Sequence, residues 1–203
     1  MASIPVLFAQ AWEDADAMDV MEAIYSRRSV RAYTDQPVDK TTVEDLIKAA
    51  THAPSSMNEQ PWAFAVIQNP TQLSAWSDRI KAYVLKHLKT DSPLAKYRDM
   101  ISSSDYHIFH RAGTLIVICA RPDAHNGEED CSLAAQNLML AACSMGLGTC
   151  PIGFARPWLT QARIKRSLGI PDGYVPVFPV VAGYPSGETP PVQLRAPEIL
   201  VWQ

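Results

Sequence analysis

The sequence has no apolar run approaching the 18 or so residues that cross a bilayer, so no membrane-spanning helix is expected. It has no G-x-x-x-x-G-K-[ST] loop, no G-x-G-x-x-G after a strand and no G-x-S-x-G elbow. That removes a P-loop, a Rossmann site and a hydrolase nucleophile. It also lacks a basic excess: 18 Lys and Arg against 21 Asp and Glu give a net charge of −3. Nucleic acid is therefore not an expected partner. The four cysteines, Cys119, Cys131, Cys143 and Cys150, include no C-x-x-C pair. They read as free, mostly buried thiols in a reducing, cytoplasmic setting. His107 and His110 have no further ligand at zinc-like spacing, so no metal site is expected.

What is present is a chain of 203 residues, 47% hydrophobic and 19% charged, enough for one compact core. Ile4 to Ala11 is mildly apolar, but no Lys or Arg precedes it and Glu13, Asp14 and Asp16 follow, so it does not read as a secretory signal. Residues 1–18 are expected to form an arm that packs on something, and residues 19–203 a single domain.

Asp19 to Arg27 reads as a helix capped by Asp19. Lys40 to His52 reads as another, with Thr41 and Glu44 in a capping-box pattern and Val43, Leu46, Ile47 and Ala50 on one face. Pro54 stops it. Trp62–Gln68 and Leu115–Ala120 read as buried strands, with a helix over Thr71–Leu88 between them and a further helix and loops over Asp91–His110. Glu129–Met145 is apolar nearly all round, as a central buried helix should be, and Gly146 and Gly148 end it. Thr149–Gly153 reads as a short strand or turn, and Pro157–Leu168 as one amphipathic helix. Val175–Gly183 reads as a strand whose prolines point to an edge or a bulge, and Glu198–Trp202 as a final strand. This order is not a regular βαβ alternation, so an α+β fold is expected.

Four clusters could carry chemistry. In Arg27-Arg28-Ser29-Val30-Arg31, an extended chain puts Arg27, Ser29 and Arg31 on one face, a grouping suited to a phosphate. The alternative is that Arg27 and Arg28 only complement a helix C-terminus. Pro54-Ser55-Ser56-Met57-Asn58-Glu59-Gln60-Pro61-Trp62 offers neutral hydroxyls and amides fit for a polar heterocycle, or is an ordinary loop. Gly146-Leu147-Gly148-Thr149-Cys150-Pro151-Ile152-Gly153 lets backbone approach a ligand closely, although a helix cap accounts for Gly146. Arg195 is a lone cation in a proline-rich tail. Cys150 has no matched histidine to make it a nucleophile.

In this order, from about Val20 to the C-terminus, the clusters resemble the nitroreductase family of FMN-dependent oxidoreductases. The closing V-V-A-G-Y-P fits as well. The resemblance implies a three-layer α/β/α sandwich of the α+β class, with a central, mainly antiparallel sheet, in an interwoven homodimer holding FMN at its interface. It implies that Arg27, Arg28, Ser29 and Arg195 hold the phosphate and ribityl chain, and that Arg31 sits at the pyrimidine edge of the flavin. Pro54, Ser55, Ser56, Asn58 and Gln60 would contact FMN, the serines and Asn58 from the other subunit. Pro151, Ile152 and Gly153 would face the ring. The implied activity is reduction of nitroaromatics, quinones or similar small acceptors by NADH or NADPH in a ping-pong cycle, with no essential acid–base side chain. The same scaffold could instead serve reductive dehalogenation or flavin cleavage, or only bind a phosphorylated ligand. The ring-facing turn lacks the acidic residue of some members, and many have Lys where Arg31 stands. The segment from Thr71 to Arg111 has no motif to match; its aromatics Trp76, Tyr83, Tyr97, Tyr106 and Phe109 could line a pocket or fill the core.

Overall fold

A computed structural model describes residues 18–203, so all but the last residue of the expected N-terminal arm lies outside the described residues. Helix α1 (Val20–Ser26) begins at Asp19, whose carboxylate accepts the Glu22 N–H at 2.9 Å. Helix α2 (Lys40–Thr51) has the expected body but a different cap. Asp39, extended at φ −69° and ψ 162°, accepts from the Thr42 N–H and hydroxyl at 2.8 and 2.7 Å. Thr41 already lies inside the helix, where a cap cannot form, and Glu44 pairs with Lys40 at 3.4 Å instead.

Strands β1 (Trp62–Ile67), β2 (Thr114–Ala120), β3 (Gly148–Pro151) and β4 (Val175–Gly183) make one antiparallel sheet in the order β1-β2-β4-β3. All of β2 is buried, and its period-two alternation divides it between two cores. Ile116, Ile118 and Ala120 face α2 and α5 (Gly127–Ser144). Leu115, Val117 and Cys119 face α3 (Pro70–His87), α6 (Arg156–Leu159) and α7 (Ala162–Ser167). A short helix, α4 (Arg98–Ser102), follows α3. The result is the expected three-layer α+β sandwich. Among the described residues no helix is long and apolar enough to cross a membrane.

Two of these expectations need correcting, and the one for β4 resolves to the bulge of its two alternatives. The helix over Pro157–Leu168 is two helices, broken at Gln161, which is extended at ψ 131°. One continuous helix turns about 100° per residue and would scatter Trp158, Leu159 and Ile164 around its axis; the break lets all three enter the same core. Strand β4 is internal, between β2 and β4's other neighbour β3, not at an edge. Its bulge is real: Ile118 pairs with Phe178 and Cys119 with Pro176, leaving Val177 extra. Strand β3 pairs only with residues 180–183; just beyond it the Ile152 N–H donates to the Pro179 carbonyl at 2.8 Å, a bond that needs no N–H from the proline. Residues 198–202 form no strand and lie exposed.

Two further features position the site. Gly148 and Gly183 pair across β3 and β4, and a Cβ on them would stand 2.7 Å from the Val30 side chain and 2.9 Å from the Tyr33 ring. The chain after α1 therefore lies directly on the sheet, with Ser29 bridged to Thr149 and the Val30 N–H bonded to the Thr149 carbonyl at 2.9 Å. On the other side, α3 clamps the loop before β2. Ser77 accepts the Ile108 N–H at 2.9 Å, and Lys81 donates to the Ser103 and Tyr106 carbonyls at 2.6 and 3.1 Å. This loop contains consecutive left-handed residues, His110 at φ 52° and Arg111 at φ 58°. His107 Nδ1 accepts the N–H groups of Phe109 and Arg111 at 3.1 and 3.3 Å.

Gly148→Ala should destabilise the protein by about 1–3 kcal/mol, the usual range for overpacking, as read from chemical denaturation. Burial and the Arg111 charge hold His107 below its ordinary value of 6.5. Burial first, then the charges of Arg31 and His107, push His110 down to about 4. Both rings stay neutral in the fold while the unfolded chain takes up protons, so stability should be complete above pH 6.5 and fall progressively toward about 4. Thermal midpoints at pH 7.5 and 5 would measure this, and replacing both histidines should flatten the difference.

Candidate functional site

A cavity of about 830 Å³ opens between the clamped loop, α3 and the turn after β3, within the range of small-molecule sites. Pro151, Ile152, Gly153 and Phe154 form one side, and Arg31 reaches in beside Cys150. A Cβ on Gly153 would meet nothing within 4 Å, so this backbone stands open to the cavity. Tyr83, Tyr97 and Tyr106, three of the five aromatics weighed from the sequence, line it. Trp76 and Phe109 are core instead. His87, Lys89 and His110 also line it; His110 was weighed in the sequence only as a metal ligand, and the other two carried no signal, because they come from a segment without a motif.

The lining includes two cations, Arg31 and Lys89, and no carboxylate. Arg31 donates only to the Ser29 carbonyl, at 3.3 Å, and belongs to none of the ion pairs among the described residues. The Cys150 thiol feels both Arg31 and Arg27, yet burial outweighs them and pushes it up, keeping it protonated. Burial likewise lifts Cys119 to about 11 and Cys131 to about 12. None of these three is an activated nucleophile.

Of the residues singled out in sequence, Arg31, Pro151, Ile152 and Gly153 meet at this cavity. Arg27 and Ser29 stand just behind, half-buried at the end of α1 and against β3. Val30, between Ser29 and Arg31, is buried, while Ala32 is exposed, so strict two-residue alternation does not continue past Arg31. Arg28 turns back on its own helix and donates to the Tyr25 and Arg27 carbonyls at 2.6 and 3.0 Å, the helix-end role weighed above. Arg195 lies in the exposed tail.

The Pro54–Gln60 residues do not line this cavity. Their loop is ordered by its own bonds: Ser55 Oγ accepts the Gln60 N–H at 3.0 Å, and Asn58 Oδ1 accepts from the Gln60 amide at 2.9 Å. Met57, Asn58 and Gln60 are left-handed, at φ 50°, 57° and 46°. Asp130, near the start of α5, accepts the Ser56 N–H at 3.1 Å. Near the other end of α5, Cys143 Sγ lies 3.5 Å from the Ser26 hydroxyl, just before Arg27. At 1.5 Å rise per residue, the polar loop and the arginine cluster stand about 20 Å apart along α5.

The sequence profile of the nitroreductase family matches residues 24–184. A relative from Archaeoglobus fulgidus, whose name pairs NADH dehydrogenase with NAD(P)H nitroreductase, is 31% identical over 84% of this chain and 87% of its own. An FMN reductase (NADPH) of Bacillus subtilis is 29% identical over 88% of this chain and 72% of its own. Among solved structures, a nitroreductase with bound FMN from Bacteroides fragilis superposes with a TM-score of 0.77 at 26% identity, covering 91% of this chain and 99% of that one. With the motifs in order, the sandwich formed and the profile spanning most of its length, the chain belongs to the nitroreductase family.

Proposed function

We propose that this protein is an FMN-dependent oxidoreductase that uses NADH or NADPH to reduce nitroaromatics, quinones or similar small acceptors. The observation that carries the reading is the cavity itself, a largely apolar, aromatic-lined space with Arg31 unpaired by any carboxylate among the described residues and open backbone at Gly153. Those residues fit FMN. The apolar and aromatic lining suits an aromatic ring system, and a cation suits the pyrimidine edge that gains negative charge on reduction.

In this reading residues 19–203 form one flavin-binding unit. Arg27, Arg28, Ser29 and Arg195 hold the phosphate and ribityl chain, and Arg31 the pyrimidine edge. Pro151, Ile152 and Gly153 bring backbone against the ring, while Pro54, Ser55, Ser56, Asn58 and Gln60 complete the site from a second copy. Arg28 must leave the Tyr25 carbonyl to take part. When bound, FMN supplies the hydride and electron transfer, so the side chains need only bind, orient and exclude water. NAD(P)H and the acceptor take turns in one cavity, which is ping-pong order. Free thiols suit a reducing, cytoplasmic setting.

The homodimer is supported by apolar surfaces that the described residues of one copy leave uncovered. Val20, Met21, Ile24 and Tyr25 expose an apolar face on α1, and Leu200 and Trp202 in the tail are 85% and 86% exposed. Side chains this large and apolar, clustered on two segments, call for a cover. The spacing of about 20 Å along α5 likewise favours two chains sharing each flavin.

The first test is a visible spectrum. Purified protein should show oxidised flavin and bleach with NADH or NADPH; protein that takes up no FMN would remove the reading. Arg27→Ala should weaken FMN binding by about 1.5–3 kcal/mol, the loss of a charge-assisted hydrogen bond, as measured by flavin fluorescence titration. Mixed dimers of one Arg27→Ala chain and one Ser56→Ala chain should keep one intact site and bind one FMN at near wild-type affinity. Equal weakening of both sites would contradict a shared interface.

A further inference from the structure

His110 lines the cavity beside Arg31, Tyr106 and Cys150, and none of the proposed cofactor contacts uses it. Its ring meets the Tyr106 ring edge-on at 6.0 Å, and no hydrogen bond to its ring nitrogens is found among the described residues. It is a polar group aimed at the cavity with its hydrogen-bonding capacity unspent.

The backbone is shaped to keep it there. A turn that only reversed the chain would favour glycine or asparagine at left-handed positions. Here His110 and Arg111 hold them, while Gly113 two residues later needs no such angle. Non-glycine residues stay in this region only where surrounding bonds over-determine them. Those bonds converge on His107. Its Nδ1 accepts the Phe109 and Arg111 N–H groups, and its carbonyl accepts the His110 N–H at 2.9 Å. Ile108 and Phe109, wholly buried, anchor the turn in the core. The two accepted bonds require Nδ1 of His107 to be unprotonated.

The rest of the wall explains what His110 adds. Tyr83, Tyr97 and Phe154 line the cavity with aromatic surface; such apolar contact holds a ring but does little to fix its rotation in its own plane. A neutral imidazole carries one N–H donor and one lone pair, both directional. We propose that His110 determines specificity in this cavity, donating its ring N–H to an oxygen conjugated with a planar aromatic acceptor, such as a nitro or quinone oxygen. His107 is its positioning residue. The inference rests on the flavin-enzyme reading above, and no proton changes hands in it.

The test uses oxidised, FMN-loaded enzyme without NAD(P)H, so nothing turns over. Nitrobenzene and the nearly isosteric, oxygen-free isopropylbenzene are titrated separately, and the flavin difference spectrum reports each dissociation constant. The wild type should prefer nitrobenzene. His110→Gly keeps the left-handed backbone easy but removes the ring, and should lower the preference about five- to tenfold, the worth of one hydrogen bond. His110→Asn tolerates the same backbone and keeps an N–H donor, so it should retain most of the preference. His107→Ala should lose part of it, and His107→Asn, whose Oδ1 accepts the same N–H groups, should restore it. A general loss of stability does not move this ratio. An unchanged ratio in His110→Gly overturns the proposal. So does weakened FMN binding with the ratio intact, which would make His110 a cofactor contact. Protein that stays colourless with added FMN fails at the flavin reading before any ligand is added.

Discussion

Two glycines facing each other across β3 and β4 are the constraint on which the site depends. With any side chain at Gly148 or Gly183, Val30 and Tyr33 lose the space they occupy. Segment 27–34 would then lift from the sheet, and the bridge from Ser29 to Thr149 would open. Tyr33 closes the arrangement by donating from its hydroxyl to the Val30 carbonyl at 2.7 Å. Burial, the main cause, raises its pKa and keeps that donor protonated. Arg31 reaches the cavity because Val30 before it and Tyr33 two residues after it are held this way. In the sequence Gly148 belongs to a cluster read as letting backbone approach a ligand; of that cluster, Gly153 stands open to the cavity, and Gly146, at φ 72°, ends α5.

The elements legible in sequence are those specified by burial pattern alone. Strand β2 is a run of β-branched residues that both cores need, and α5 is largely apolar because it packs against α2, α1 and the sheet, although Ser132, Leu133 and Gln136 lie on an exposed face that its apolar sequence does not mark. The misread elements depend on tertiary choices. The break at Gln161 answers to where Trp158, Leu159 and Ile164 must point, which helical periodicity does not encode. The cap at Asp39 won because its carboxylate sits on an extended residue while Thr41 does not. The cavity wall from Tyr83 to His110 was least legible, since its shape rests on a histidine ring nitrogen accepting backbone N–H groups, a bond with no sequence signature. Arg31 and the Pro151–Gly153 turn were legible through family resemblance; composition and spacing left each open to an ordinary structural reading.

Helix α5 also explains why the polar loop at residues 54–60 is built so firmly while facing away from its own cavity. Asp130 is buried, and it spends one carboxylate oxygen on the Ser56 N–H while the other finds no partner among the described residues. A buried carboxylate left half satisfied is costly. At this site the cost secures a strained loop, with Met57, Asn58 and Gln60 all left-handed, at the opposite end of the helix from Arg27. Such strain gathers where geometry matters to a ligand. In the proposed dimer that ligand is the flavin of the neighbouring chain, so one helix links the two sites.

The charge balance of the cavity follows from the same parts. Arg31 and Lys89 face it with no carboxylate among the lining residues, so the local field is positive. A charged His110 beside Arg31 would add to that field in mild acid. Burial, then the charges of Arg31 and His107, hold it down to about 4, so this ring stays neutral as the surrounding pH varies near neutrality. A fixed cation then favours negative charge developing in the cavity, while a neutral ring beside it can orient an acceptor without competing for that charge. The two roles need opposite protonation behaviour from neighbouring groups. A guanidinium that never deprotonates and an imidazole kept from protonating supply it.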